Sequence, residues 1–468
     1  MEQKNPNLIF IFPDQFRQQA AGCMGQDPVL TPSLDRLAEE GLMLTHAVSN
    51  FPVCSPYRAM LFTAKYPFSN GVYGNCYSKT APLGIGLPED ARCFSDILNE
   101  ADYSLGYIGK WHLDAPREEH IPFTEGWRGA PGTGTYWDAY TPPGPRRHGF
   151  DFWYSYGCCD RHLNPHYWTG DAPVDERIDV MEWSVKHETD VALDYIVNRG
   201  GDFRRENSPF ALFVAFNPPH TPFGQVPPHY LELYKETSSE KLLNRPNVSV
   251  EGMGAMALEH VRNYFAAVTG IDEQVGRILN CLETTGLRDN TIVVFTADHG
   301  EMMGSHQLMH KSVWYDESLL VPFIVRWPER IRKGCDDLLL SAPDIMPSFL
   351  SMMGQESRIP DDVEGRDLSG AFLDEPLDRP ESALYLRVDP EHPKLGSRGL
   401  RTHDFTYVEH RNREYTGETS LLYDNRADPF QMHGLADAET QTAEKLRNEL
   451  NEWLMRTGDP WAADRGEQ

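Results

Sequence analysis

Apolar residues in this chain gather in short, nearly unbroken runs. Leu8-Ile9-Phe10-Ile11-Phe12, Phe210-Ala211-Leu212-Phe213-Val214-Ala215-Phe216 and Thr291-Ile292-Val293-Val294-Phe295 lack the polar alternation of a half-solvated sheet. Each therefore predicts a strand covered on both faces. Tyr107-Ile108 predicts a shorter strand, and Val321 to Trp327 another, with Pro322 favouring a strand start. Helical patterns intervene. Thr31-Pro32-Ser33-Leu34-Asp35 opens a helix with Thr31 as N-cap and Pro32 at the first helical position, and Gly41 stops it. Phe94 to Glu100 and Ala257 to Glu283 predict two more. Strands alternating with helices imply an α/β fold, a large and mainly parallel sheet sandwiched by helices. The Pro-, Asp- and Gly-rich stretch from Gly354 to Pro380 reads as a boundary. Beyond it, Ala383–Val388, Gly399–Thr402 and Phe405–Val408 sit at hairpin spacing ahead of a helix from about Thr440 to Met455. The expectation is a main domain over residues 1–370 and a smaller C-terminal α+β subdomain over 371–468, built from a small antiparallel sheet and a terminal helix.

Composition narrows the function classes. The 468 residues suit one large α/β domain with an appendage, or two to three domains. A formal charge of −27 argues against non-specific nucleic-acid binding, and any anionic substrate requires positive charge concentrated locally against that field. No apolar run is long enough for a membrane span. Leu8–Phe12 is too short for a signal-peptide core and no small-residue cleavage site follows it. The expected location is thus periplasmic or secreted if a leader has been removed, and cytoplasmic otherwise. Eight cysteines without CxxC pairs form neither a disulfide framework nor a structural zinc site, and the adjacent Cys158-Cys159 reads as packing. Nothing in these patterns fixes an oligomeric state.

The predicted strand exits carry a dense set of polar groups. Pro13-Asp14-Gln15, Gly109-Lys110-Trp111-His112, Asn217-Pro218-Pro219-His220 and Thr296-Ala297-Asp298-His299-Gly300 each follow a strand, with Lys311 a little beyond. A parallel sheet brings such exits to one edge. Asp14, Gln15 and Asp298 offer hard oxygen ligands for calcium or magnesium, with His299 as a further ligand or donor. Lys110, Lys311 and Arg58 offer cationic donors for a tetrahedral oxyanion, and His112 and His220 can move protons near neutral pH. Cys54-Ser55-Pro56-Tyr57-Arg58 leads into a predicted helix, and the positive end of a helix suits a nucleophile or an anion. This inventory points to transfer of a sulfuryl or phosphoryl group.

The chain resembles type I sulfatases of the alkaline-phosphatase-like superfamily. Cys54-Ser55-Pro56-Tyr57-Arg58, with Leu61 and Thr63, resembles the CxPxR signature, although Ala64-Lys65 stands where the family usually has Gly-Arg. Thr31 to Gly41 is similar to the TPNLDRLAxEG helix, Gly109 to His112 to GKWH, Thr296 to Glu301 to TSDHGE, and Leu422-Tyr423-Asp424 with Asp428-Pro429 to the LYDLxxDP turn. The resemblance implies that a maturase oxidises Cys54 to formylglycine, whose hydrate attacks sulfur. It implies that Asp14, Gln15, Asp298 and His299 hold a divalent cation together with residue 54. Calcium is the expected ion, with magnesium or manganese as alternatives, because many relatives carry Asp for Gln15 and Asn for His299. It further implies that Arg58 steadies the hydrate, Lys110 and Lys311 grip sulfate, His112 assists collapse of the intermediate and His220 protonates the leaving oxygen.

The substrate is expected to be a sulfated carbohydrate, with choline sulfate or an aryl sulfate behind it. Residues 114–175, rich in Pro, Gly, aromatics and Arg, read as a substrate-facing insertion, with Arg146, Arg161 and His166 as candidate sugar contacts. Two alternatives stand beside this reading. One is a phosphonate monoester or phosphodiester hydrolase on the same scaffold, which the Lys110-x-His112 pair argues against. The other is an anion-binding protein in which Cys54 is never matured.

Overall fold

The three longest apolar runs become neighbours at the centre of one sheet, where both faces are dry. The computed structural model describes residues 5–124, 134–412, 419–435 and 441–465. In chain order the large sheet is built from β1 (Asn7–Ile11), β2 (Leu42–Val48), β3 (Ser104–Lys110), β4 (Phe152–Tyr156), β5 (His166–Thr169), β6 (Ile178–Asp179), β7 (Phe210–Ala215), β8 (Thr291–Phe295), β9 (Phe323–Arg326) and β10 (Gly334–Ser341). Their order is β10-β2-β9-β8-β1-β7-β3-β4-β5-β6. Leu8 pairs with Ala211 on one side and Ile292 on the other, and every residue of β1, β7 and β8 is buried. The block β8-β1-β7-β3-β4 is parallel throughout, so its carboxyl ends share one edge.

Several features depart from the sequence reading. β9 runs antiparallel to both neighbours, and β5 and β6 extend the sheet antiparallel. A short run such as Phe323–Arg326 carries no information on direction, which long-range packing decides. β4 and β5 lie inside the stretch read as irregular, their strands rich in Trp and Tyr rather than aliphatic residues. The Thr31 side chain does not cap its helix: its hydroxyl accepts from Gly22 N and faces Asp35. The free N–H groups of Ser33 and Leu34 instead donate to the Asp272 carboxylate, at 3.1 and 2.7 Å, from the long helix Met253–Thr284. That cap is tertiary, although it serves the same orphan donors.

A second sheet holds β11 (Ser382–Val388), β12 (Gly396–Thr402), β13 (Phe405–Arg411) and β14 (Thr419–Asp424), all antiparallel in sequence order. Helix Gln441–Arg456 covers it with Ala443, Leu446, Leu450 and Leu454, one buried face at helical spacing. The small sheet docks beside the site edge. Leu386 N donates to Asn50 O at 2.7 Å, and Arg401 grips Asp316 through two nitrogens at 2.9 and 3.0 Å. No helix among the described residues is long and apolar enough to cross a membrane, and all eight cysteines are free.

Candidate active site

Each site residue is placed by the end of a buried element. β1 stops at Ile11, yet its pairing continues through Phe12 N to Val214 O and Asp14 N to Phe216 O, which carries Asp14 to the sheet edge. Gln15 then turns at φ 67°, a left-handed conformation held by the Tyr264 hydroxyl, which donates to Gln15 O and accepts from Arg17 N. β3 delivers Lys110 as its last residue, and His112 follows at φ 55°. Ser55 Oγ donates to His112 O at 2.6 Å and accepts from Cys76 N, pinning that turn to the helix Cys54–Thr63. The helix begins on Cys54 itself, all ten of its residues are buried, and its first turn meets Asn75 Oδ1 through Ser55 N.

Around Cys54 the sequence-predicted groups converge. The sulfur lies 3.4 Å from His299 Nε2, 3.5 Å from Lys311 Nζ, 3.6 Å from Asp14 Oδ1 and 3.8 Å from Lys110 Nζ. Burial and Asp14 push the Cys54 thiol up, but Lys110, Lys311 and His299 outweigh them and hold it well below the usual thiol range. Arg58 reaches Asp298 Oδ2 through Nε and Nη2, at 3.2 and 3.0 Å, and donates to Lys110 O. Lys311 Nζ also donates to Gln15 Oε1 and meets His220 Nε2, both at 2.8 Å.

The two nearby histidines outside the carboxylate pair differ in tautomer. His112 Nε2 lies 3.2 Å from Cys76 O, a pure acceptor, which assigns the proton to Nε2 and leaves Nδ1 bare. Nδ1 is buried without a hydrogen-bond partner, and the residue 54 side chain acts to raise the ring. Burial, with Lys110 and Arg58, pushes His112 down to about 4, so its ring is neutral at neutral pH. His220 Nδ1 meets Thr221 O at 2.8 Å, and Asp14 and Asp160 flank its ring at 3.9 and 3.6 Å.

The donor set fits a hard divalent cation. Asp14, Asp298, His299 and Cys54 each present a ligand atom within 4.8 Å of all the others, and all four residues are buried. His299 Nε2 stands 3.3 Å from Asp14 Oδ1 and 3.6 Å from Asp298 Oδ1. Those spacings are too long for good hydrogen bonds and match ligands about 2.4 Å from a shared centre at right angles, roughly 3.4 Å apart. Without that charge, burial and Lys311 push His299 down while Asp298, Cys54 and Asp14 raise it, for a net rise to about 9.

The three expected sugar contacts differ in their surroundings. His166 is wholly buried, its Nε2 2.7 Å from Asp138 Oδ2 and its Nδ1 3.7 Å from Cys159 Sγ, which leaves no face for a substrate. Arg146 is held by Asp114 at 2.6 Å and Glu89 at 3.5 Å, and Arg161 is half-buried beside Asp160. Sequence reasoning also passed over three supports. Asn217 accepts from Lys110 Nζ at 3.3 Å and donates to Cys159 O at 2.7 Å. Glu301 accepts from Gln15 Nε2, Met303 N and His310 N, and so shapes the turn that delivers Lys311. Asp138 accepts from Ala139 N and Cys158 N as well as facing His166. Asn217 and Glu301 stand inside the strand-exit motifs, so their position was a usable signal; Asp138 had none.

Comparison with known proteins bears on this geometry. The family model "Sulfatase" matches residues 6–355, and the model "N-sulphoglucosamine sulphohydrolase, C-terminal" matches 304–458. An endo-4-O-sulfatase of Bacteroides thetaiotaomicron is 40% identical over 99% of this chain and 94% of its own length. An ulvan-active sulfatase of Formosa agariphila is 34% identical, covering 98% of this chain and 83% of itself. The crystal structure of the sulfatase yidJ of Bacteroides fragilis superposes with a TM-score of 0.92 at 42% identity, over 99% of this chain and 98% of that one. With its alkaline-phosphatase-like sheet and the CxPxR helix at its edge, the chain belongs to the sulfatase family and is a sulfuric ester hydrolase.

Proposed function

We propose that the chain, after a maturase converts Cys54 to formylglycine, hydrolyses a sulfate ester on a sulfated carbohydrate. The observation that carries this reading is the ring of His299, Lys311, Asp14 and Lys110 within 3.4–3.8 Å of the residue 54 side chain at a buried helix start. A hydrated aldehyde at residue 54 would supply the attacking oxygen, and a divalent cation, calcium first with magnesium or manganese as alternatives, held by Asp14, Gln15, Asp298, His299 and residue 54 would supply fixed positive charge beside it. The chain's own groups do the rest. Lys110 and Lys311 grip the sulfate oxygens from two sides and offset their charge. His112 takes a proton from residue 54 at its bare Nδ1, because Cys76 O keeps the other proton on Nε2. His220, flanked by Asp14 and Asp160, stands where it can give a proton to the leaving alcohol oxygen. Arg58 neutralises Asp298 and ties it to the end of β3 through Lys110 O.

Carbohydrate is favoured because two relatives aligning over most of this chain are named for ulvan and for N-acetylglucosamine. A periplasmic or secreted location accords with that substrate. Residues 1–370 carry the groups above and form the catalytic domain in this reading, with 371–468 as the subdomain beside it. The test is hydrolysis by matured protein of a 4-O-sulfated oligosaccharide, an aryl sulfate and an aryl phosphonate. Sulfate release should dominate. Faster phosphonate cleavage would replace this reading with the phosphonate hydrolase.

A further inference from the structure

A cavity of about 670 Å³ opens between the segment after Cys76 and the edge of the small sheet. The segment that lines it starts at the site. Cys76 O meets His112 Nε2, and the next residue, Tyr77, lines the cavity. The Tyr77 ring stacks on Trp137 at 4.3 Å and 7°, and Trp137 in turn lies 6.1 Å from the His112 ring. On the other wall, β11 passes Ser312 O with its Tyr385 hydroxyl, one residue from Lys311, before presenting Arg387 and Val388 to the cavity.

Three cations face two carboxylates on the cavity walls, a small positive excess in a chain of strongly negative charge. Lys79, Arg387 and Arg411 line the cavity, with Lys79 and Arg387 exposed, beside His410, which burial and Arg387 hold below its ordinary range. Two of these groups are pre-placed. Arg387, Ser397 and His410 stand opposite one another across three strands, with Ser397 Oγ 2.9 Å from His410 Nδ1. The Arg411 guanidinium lies over the Trp461 ring at 4.1 Å. The carboxylates are Asp389, which accepts from Glu391 N and His392 N in its own turn, and Glu391. An aromatic platform with cationic forks around it is the chemistry that recognises an acidic sugar ring.

We propose that this cavity is a second sugar subsite, which takes an anionic ring of an oligosaccharide whose sulfate ester sits at residue 54. The inference rests on the sulfated-carbohydrate reading above and adds chain-length and charge selectivity to it. The test compares a uronate-containing 4-O-sulfated tetrasaccharide with the corresponding sulfated monosaccharide, in the parent and in Arg387→Glu and Lys79→Ala. Both side chains are exposed, so the variants should fold. The ratio of kcat/KM for tetrasaccharide over monosaccharide should fall about tenfold in each variant, as expected for loss of a charged hydrogen-bond partner. An unchanged ratio overturns the subsite while leaving the catalytic reading standing. If neither sugar is hydrolysed, the catalytic reading fails on its own, and calorimetry then decides the subsite. Weaker tetrasaccharide binding in the variants supports it, and equal or absent binding in parent and variants overturns it.

Discussion

Lys110 Nζ lies 2.5 Å from Asp14 Oδ2, and solvent reaches neither side chain. Burial alone would push Asp14 up, but Lys110, His220 and Lys311 outweigh it and hold the carboxyl well below its usual range. Removing one partner of such a pair leaves the other charged and unpaired. Lys110→Met should therefore destabilise the fold by about 3–5 kcal/mol in urea unfolding and lower kcat by at least about a hundredfold. Near-parental stability in that variant would mean that Asp14 finds its compensation elsewhere.

His166 tests the division between scaffold and site. Its ring bridges Asp138 and Cys159 beneath the turn whose Cys159 carbonyl anchors Asn217, which in turn meets Lys110. His166→Ala leaves a cavity and deprives Asp138 Oδ2 of its partner, and should cost about 3 kcal/mol. Activity per folded molecule should fall less than about tenfold, well short of the Lys110→Met loss. A large rise in KM with unchanged stability would return His166 to the role of a sugar contact.

The chemistry of the site is legible in the sequence because strand exits are local: Asp14, Lys110, Asp298 and His299 each follow a strand that can be recognised by itself. The supports are not. Asp138 meets His166 across 28 residues, and Asp272 caps a helix that begins some 240 residues earlier. A histidine among Tyr and Trp reads the same in sequence whether its ring faces a sugar or a buried carboxylate. The run direction of β9 and the strand β5 beside the Asp138 turn are likewise set by pairing partners far away in the chain. The most apolar runs could be ranked as central strands because only the middle of a covered sheet is dry on both faces.

Glu188 should give stability a pH dependence. Burial raises its carboxyl to about 8 against hydrogen bonds from Tyr167 and Tyr156 and the charge of Arg58, so the folded state keeps a proton that the unfolded chain loses near pH 4.5. The favourable contribution is complete below pH 4.5 and is lost as pH rises through about 8. Between pH 5.5 and 7.5 this group should remove about 3 kcal/mol of stability. Urea unfolding at the two pH values should show that loss in the parent and lack it in Glu188→Gln. Equal slopes would show that Glu188 is ionised in the fold.

Ala64 closes the helix Cys54–Thr63 at φ 53°, a left-handed residue whose carbonyl accepts from Glu364 N and Gly365 N. A side chain there costs about 1 kcal/mol that glycine avoids. Ala64→Gly should raise stability by about 0.5 kcal/mol in thermal or urea unfolding, the gain in backbone fit less the added chain entropy. A loss of stability instead would show that the Ala64 methyl packs more favourably than its backbone is strained.

Residue 54 supplies the attacking oxygen on which the proposed roles of Lys110, Lys311, His112 and His220 depend. Mass spectrometry of the peptide spanning residue 54, from protein co-produced with a maturase and assayed for sulfate release, tests it directly. The predicted result is a peptide in which CH2–SH has been replaced by CHO, with sulfatase activity proportional to the converted fraction and absent from Cys54→Ala. Full activity in protein whose residue 54 remains a thiol would contradict the account.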